Sequence, residues 1–356
     1  MSRRIFVRGT GQEDNIGDVV LRRAMFDRLR EAGELHIYLA DSSKDFIAAL
    51  KLGKNDRVYR DMKQWKVAAL KSVLRRPTWF VDKPGEVLLT EDIYQGQRAL
   101  LPVIIAIRAR GGRVLRLGIG QRASNEELTP KFRRLYRLSN SVLWRDSASA
   151  RAFGLGGVMP DWGFESAPGA GGDQERDLLL VSYRGDRPTL ADETVTAIRL
   201  FADQKGLKVA VVTQVGRDDE RTAELAEQLG GTALLWEAGV THAQQEEKLR
   251  ILFRRAAVVV SDRLHVLIIG ATEGAVPINL TDEPDIKVGR HFDAIGYEKL
   301  SILTVGSSSA ELVSRMMEQS GRGSELGRAV ERARDRVRAL SAEALVLRPS
   351  AASELD

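Results

Sequence analysis

The sequence predicts an α/β protein made of two doubly wound, Rossmann-like domains facing each other across a cleft. Three observations lead there. Short β-rich apolar runs alternate with helical patterns along nearly all 356 residues. The rhythm breaks once, at the small, glycine-rich stretch SAPGAGGD over 166–173, and then restarts. The length also suits two domains of about 150–180 residues better than one. The expected division is residues 1–168 and 169–356, the second ending in a long helix.

The elements follow in order. RIFVR over 4–8 reads as the first strand, followed by a glycine-containing loop and a helix over 18–32. A strand over 35–40 precedes Ser42 and Ser43, which can cap a helix over 45–50. Strands over 86–90, 113–117 and 141–144 are expected, with helices over 98–110 and 125–138. After the break come strands over 178–182, 207–213, 233–236, 257–260 and 276–280. Helices over 191–204, 219–229, 244–254 and 266–273 separate them, and 324–345 is amphipathic with Ala, Val and Leu on one side. Ligands in such sheets sit at the carboxyl ends of the strands, so the cleft is where function is expected.

Composition narrows the class. With 43% hydrophobic and 29% charged residues the chain can fold around a core. Its longest apolar run, 99–107, is half a membrane span and contains Pro102. The start, MSRRIFVRGTG, has positive charge but no apolar stretch of a secretory signal. Cysteine is absent, which removes disulfides, thiolate metal sites and cysteine nucleophiles, and a cytoplasmic location is expected. Residues 1–168 carry 30 Lys+Arg against 19 Asp+Glu, and the remainder 24 against 30. The first half is therefore basic and points to an anionic partner.

Two glycine loops invite comparison with nucleotide sites. Gly9 to Asp18 (GTGQEDNIGD) follows a strand and opens a helix, where free N–H groups can hold an anion or a sugar hydroxyl, but Asp14 occupies the place of the third glycine of a dinucleotide loop. Gly118-Ile119-Gly120-Gln121-Arg122-Ala123 fits G-x-G-x-x-A with Asp146 downstream, though the next helix begins too late, at Asn125. Ser261-Asp262-Arg263-Leu264-His265 is sharper, because it ends a fully apolar strand where a helix starts. Arginine offers a fork for phosphate or carboxylate, and histidine titrates near neutrality. Trp144-Arg145-Asp146-Ser147 repeats that arrangement in the first half, with Asp146 as the helix cap, and Asp282 to Lys287 (DEPDIK) brings a lysine to another strand end. No H-E-x-x-H, G-x-S-x-G, Walker loop or metal-spaced histidine pair occurs, so no metal is expected.

Taken in order, these segments resemble the polysaccharide pyruvyl transferase family. The resemblance rests on Asn15-Ile16-Gly17-Asp18, Trp144-Arg145-Asp146-Ser147-Ala148-Ser149, Pro160-Asp161, Arg263-Leu264-His265 with Gly274 to Pro277, and Lys287, spanning residues 9–290. It implies a glycosyltransferase B-like architecture, with the acceptor on the basic first domain and the donor on the second. It also implies an enzyme that moves the pyruvyl group of phosphoenolpyruvate onto two hydroxyls of a polysaccharide or lipid-linked sugar as a ketal, releasing phosphate. Phosphoenolpyruvate is then a substrate, and no cofactor is implied. By the same resemblance His265, Arg263 and Asp18 are the catalytic candidates. Arg145, Lys287, Asn15, Gly17 and Ser261 are the substrate-binding ones. The family's G-G-G turn is replaced, reading it after the strand at 86–89, by Thr90 to Gly96, and no proline follows Gly118-Ile119-Gly120. A nucleotide-sugar glycosyltransferase of the same architecture and a catalytically altered scaffold in glycan assembly are the other readings.

One charged stretch stands apart. Lys51 to Arg76 holds nine Lys+Arg against two Asp+Glu, with Trp65 inside and Trp79 just beyond. Cations at Lys51, Lys54, Arg57, Arg60, Lys63 and Lys66 recur every three residues, suggesting an anionic membrane surface met by cations and an aromatic ring. No nucleic-acid-binding motif accompanies them, so nucleic acid is not an expected partner.

Overall fold

The computed structural model describes residues 3–123, 125–166, 175–283 and 288–346. Its strands form two sheets with every strand pair parallel. In the first are β1 (Arg4–Arg8), β2 (Glu34–Tyr38), β3 (Arg57–Tyr59), β4 (Thr78–Val81), β5 (Gly85–Val87), β6 (Arg113–Gln121), β7 (Ser141–Trp144) and β8 (Gly157–Val158). Their order is β3-β2-β1-β4-β6-β7-β8, with β5 added against β6. The second sheet holds β9 (Leu178–Ser182), β10 (Lys208–Val212), β11 (Thr232–Leu234), β12 (Ala256–Ser261), β13 (Val276–Thr281) and β14 (Ser301–Leu303), ordered β11-β10-β9-β12-β13-β14. Strand order reverses between β1 and β4 and again between β9 and β12. Such reversals open a crevice outside the carboxyl ends of the strands.

Period-2 alternation explains the layers. Ile5 and Val7 of β1 pack with Leu35, Ile37 and Val81 against the helix Ile16–Arg30, through Val19, Met25, Phe26 and Leu29. Phe6, between them, faces the other side and meets Phe80, Val114 and the helices Met62–Val73 and Leu101–Ala109. Each such side chain, fully buried, contributes about 1.5–3 kcal/mol.

The chain also stitches its two cores together. Ile16 and Val20, at the start of the first helix, lie in the second core with Leu180, Val212, Leu264 and Leu267. The final helix Gly323–Val346 crosses back. Leu326, Ala329, Val330 and Ala333 pack on the second core, whereas Val337, Ala344 and Leu345 pack on the first. The expected boundary at 168/169 falls in 167–174, outside the described residues.

Several expected elements change. The strand beside β1 is Thr78–Val81, while the run expected over 86–90 is the short side strand Gly85–Val87. The loop that follows the central strand is therefore Asp82-Lys83-Pro84, and Thr90 merely caps the helix Glu91–Arg98. The helix expected over 98–110 forms as Leu101–Ala109, preceded by the separate helix Glu91–Arg98, with Pro102 in its first turn, where the missing N–H costs nothing. β6 runs on to Gln121, so Gly118 and Gly120 lie within a strand rather than in a strand-to-helix turn. Gly118 takes φ +74° at a register shift opposite β7, with the Trp162 ring where a Cβ would be. Trp65 and Trp79 are core residues rather than surface anchors. The Trp65 indole donates to the His36 carbonyl at 2.9 Å, and the Arg3 guanidinium sits 3.7 Å from the Trp79 ring centroid.

Candidate functional site

A cleft of about 310 Å³ opens where the two strand-order reversals face each other. The first sheet supplies the loop after β1, the loop after β4 and Arg145 after β7. The second supplies Arg184 and Asp186 after β9, Gln214 and Arg217 after β10, and Asp262 to His265 after β12.

Asn15 caps the first helix, its Oδ1 accepting from the Gly17 N–H at 2.9 Å. Its side-chain amide also bonds that of Gln214 at 2.8 Å, and the Ile16 N–H donates to the Gln214 carbonyl at 3.2 Å. Asp14 and Arg217 form a two-point ion pair beside them, at 2.9 and 3.0 Å. The floor of the cleft is thus shared between the two sheets. Asp18, in the first turn of the helix, accepts from the Gln12 N–H at 2.7 Å and lies 3.4 Å from Arg22. Burial opposes its charge, but Arg22, the Gln12 N–H, His265 and Lys83 outweigh burial and hold its carboxyl below the usual range.

Lys83 enters from the loop after β4. Its own N–H is fixed by Asp82, a buried carboxylate that also accepts from Gln97 at 2.8 Å and from Arg8 at 3.2 Å. The Lys83 ammonium lines the cleft and makes no hydrogen bond or ion pair among the described residues. Burial, reinforced by Arg22 and Arg8, pushes it down to about 8 in spite of Asp82 and Asp18.

Arg145 is 2% exposed and held by Asp161 at 3.3 Å, with Glu86 at 3.8 Å. Asp161 also accepts from the Gly163 N–H at 2.8 Å and lies 3.9 Å from His265 Nε2. Burial would raise the Asp161 pKa, yet His265, Arg145 and His291 together keep it well below the ordinary carboxylate range. Two buried atoms at this junction, Arg145 Nε and His265 Nε2, have no hydrogen-bond partner within normal distance among the described residues: the first faces Gly120 of β6 and the second faces Asp161.

On the opposite wall Arg263 is gripped at two points by the buried carboxylate of Asp218, which also accepts from the Gly185 N–H at 2.9 Å. The pair orients the fork but leaves Arg263 partly neutralised before any ligand arrives. Asp262 accepts from the Arg184 N–H at 3.1 Å. Burial pushes its carboxyl up to about 6, against the pull of Arg263, Arg184 and Arg187. His265 stands in the first turn of the helix Leu264–Thr272, against Gly17 from the first helix.

Of the residues singled out in the sequence, Asn15, Gly17, Asp18, Arg145, Arg263 and His265 come together here. Ser261 does not reach the cleft. It is fully buried, donates to the Ser182 carbonyl and accepts from the Arg263 N–H, so it shapes the strand end. Lys287 lies outside the described residues. Lys83, Asp218 and Gln214 were missed, and Asp262, inside the singled-out segment, was given no role of its own. Lys83 had a readable signal, since WFV followed by Asp-Lys-Pro is an apolar run ending in a charged turn. Asp218 and Gln214 had none, because what places them is pairing across the chain.

The fold is of the glycosyltransferase B kind. It matches UDP-GlcNAc 2-epimerase from Neisseria meningitidis bound to UDP-GlcNAc with a TM-score of 0.59 at 9% identity, over 96% of this chain and 99% of that one. Anabaena HepE in complex with UDP gives 0.54 at 12% identity, over 96% and 95%. Phytolacca americana UGT2, complexed with UDP-2-fluoro-glucose and pterostilbene, gives 0.51 at 10%, over 96% and 94%. No curated protein sequence matches the chain. The profile of one family, polysaccharide pyruvyl transferase, matches residues 15–282, from the asparagine that caps the first helix to the acid after β13. By that match over most of its length, the chain belongs to the polysaccharide pyruvyl transferase family.

Proposed function

We propose that the protein transfers the pyruvyl group of phosphoenolpyruvate to a sugar of a polysaccharide or lipid-linked glycan, forming a ketal and releasing phosphate. The supporting observation is that cations from both sheets, Lys83 and Arg145 on one wall and Arg263 on the other, share a cleft with His265. A donor with a carboxylate at one end and a phosphate at the other needs cations at two separated points.

In the proposed reaction a proton is added to C3 of the donor and a sugar hydroxyl oxygen bonds to C2. The bond from C2 to the phosphate oxygen breaks, phosphate leaves, and a second hydroxyl closes the ketal at C2. One hydroxyl proton ends on the new methyl group and the other leaves with phosphate or solvent. His265 carries the proton to or from the reacting atoms, and Asp18 orients and accepts from a sugar hydroxyl. Arg263 and Arg145 stabilise the charge that develops on the departing phosphate. Asn15 and Gly17 hold the acceptor side of the cleft, and Lys287 is assigned to the donor. The reaction belongs in the cytoplasm, where phosphoenolpyruvate is produced.

The test is a thermal-shift comparison of phosphoenolpyruvate with UDP-sugars, followed by phosphorus NMR for phosphate release in the presence of glycan acceptors. A ligand at 100 times its dissociation constant stabilises by about 2.7 kcal/mol. Stabilisation by a UDP-sugar and not by phosphoenolpyruvate would establish a nucleotide-sugar glycosyltransferase instead. Binding of neither, with retained association to other glycan-assembly proteins, would establish a scaffold.

A further inference from the structure

The helix Met62–Val73, on the outer side of the first sheet, has two unlike faces. Trp65, Ala69 and Val73 enter the core with Phe6, Phe80 and Ile104. On the other face Val67, Leu70 and Leu74 are 41, 37 and 74% exposed. At about 100° per residue these three and Lys63 fall within an arc of roughly 60°. Lys66 borders the arc on one side, and Lys71 and Arg75 on the other. None of the four cations makes a hydrogen bond or ion pair among the described residues. Asp61, the carboxylate that opens this helix, is occupied as its cap, accepting from the Gln64 N–H at 2.7 Å. Edge strand β3 adds Arg57 and Val58, the latter 40% exposed, next to this helix.

A merely solvated helix would show polar residues along this arc, whereas here three aliphatic side chains share it with Lys63 at its amino end, and cations without a partner among the described residues border it on both sides. A second copy of the chain is a poor occupant. A two-fold contact sets the same patch against itself and would bring the cation rims together. An anionic bilayer suits both parts at once, with aliphatic groups at the acyl boundary and cations among the headgroups. The helix runs back against the strands, so its Lys63 end lies on the carboxyl side of the sheet, where the cleft opens.

We propose that this face, Lys63, Lys66, Val67, Leu70, Lys71, Leu74 and Arg75, docks the protein on an anionic lipid bilayer with the cleft mouth at the rim of contact. The docking uses aliphatic side chains in place of the buried tryptophans. It goes beyond the proposed reaction and does not depend on it, because vesicle binding is read without donor or acceptor.

The experiment is cosedimentation of the full chain with phosphatidylcholine vesicles, with and without phosphatidylglycerol, over a range of salt. Wild type is expected to bind the anionic vesicles at low salt, to be released as salt rises, and to ignore neutral ones. Two variants separate the contributions: Lys63→Glu, Lys66→Glu, Lys71→Glu, Arg75→Glu together, and Val67→Ser, Leu70→Ser, Leu74→Ser together. Each should lower partitioning by more than about tenfold while the far-ultraviolet circular dichroism spectrum and the cooperative unfolding of the free protein stay as in wild type. If the serine variant fails to fold, Leu74→Ser alone, the most exposed of the three, should still weaken binding measurably. Equal binding to neutral and anionic vesicles overturns the proposal. So does a serine variant, triple or single, that binds like wild type, which would mark a purely electrostatic patch for a soluble polyanion. A wild-type dimer that the serine changes convert to monomer overturns it in favour of a second copy.

Discussion

Gly17 and His265 are in face-to-face contact across the seam between the two sheets: a Cβ at position 17 would stand 2.5 Å from His265 Nδ1 and 2.6 Å from its Cβ and Cγ. The first helix thus sets where the imidazole can lie. Gly17→Ala is expected to displace the ring and slow turnover by about 10²–10⁴-fold, the usual worth of a general acid or base. If the glycine acts through the histidine, adding Gly17→Ala to His265→Ala should cost little more. Steady-state kinetics on the four proteins of that cycle provide the check, and additive losses would refute the link.

Arg145 has structural as well as binding consequences, because it neutralises the buried Asp161. Arg145→Ala should lower unfolding stability by about 3–5 kcal/mol, the cost of stranding a buried charge, besides weakening donor binding. Adding Asp161→Asn should recover much of the stability and none of the affinity. Chemical denaturation and donor titration on the single and double variants separate the two effects.

Lys83 predicts an alkaline limit. Its ammonium titrates at about 8, so donor affinity should fall as pH rises through that value, and bound anion should shift the limit upward. Lys83→Gln should bind weakly at pH 7 and lose the limb. On stability the sign is opposite: the folded pKa lies below the ordinary 10.5, so the unfolded chain binds more protons between about 8 and 10.5. This group's contribution to stability therefore rises with pH across that window. The KM for phosphoenolpyruvate from pH 6.5 to 9.5 in both proteins decides the matter.

Asp262 predicts a gain. Its folded pKa of about 6 is above the ordinary 3.8, so its contribution is fully present below 3.8 and is lost as pH rises through 6. Asp262→Asn keeps an acceptor for the Arg184 N–H and removes the buried charge. Its Tm should match wild type near pH 4 and exceed it at pH 8. A lower Tm at pH 8 would contradict the burial argument.

The two-sheet plan and the gathering of Asn15, Asp18, Arg145, Arg263 and His265 were legible because they depend on local patterns: apolar strands that end in a charged or capping residue. What escaped depended on distance. The strand Thr78–Val81 follows a basic stretch and is only four residues long, so a weak side strand at 85–87 was read in its place. The regular cation spacing from Lys51 to Lys66 hid a strand, a turn and the start of a helix, and nothing in that spacing shows that Trp65 points inward. Asp218 became a partner of Arg263 only because β9 lies between β10 and β12 and brings the loops at their carboxyl ends together.

The seam bears on how such proteins can be recombined. Its contacts are written jointly in distant parts of the chain: Asp14 with Arg217, Asn15 with Gln214, Arg23 with Glu246, and the final helix lying over both cores. The topology looks modular, yet a chimaera that exchanged one half alone would inherit unmatched partners along the floor of its own cleft. Halves of this kind must be inherited as matched sets, and variation in what the enzyme accepts is free to accumulate only in loops that leave those partners untouched.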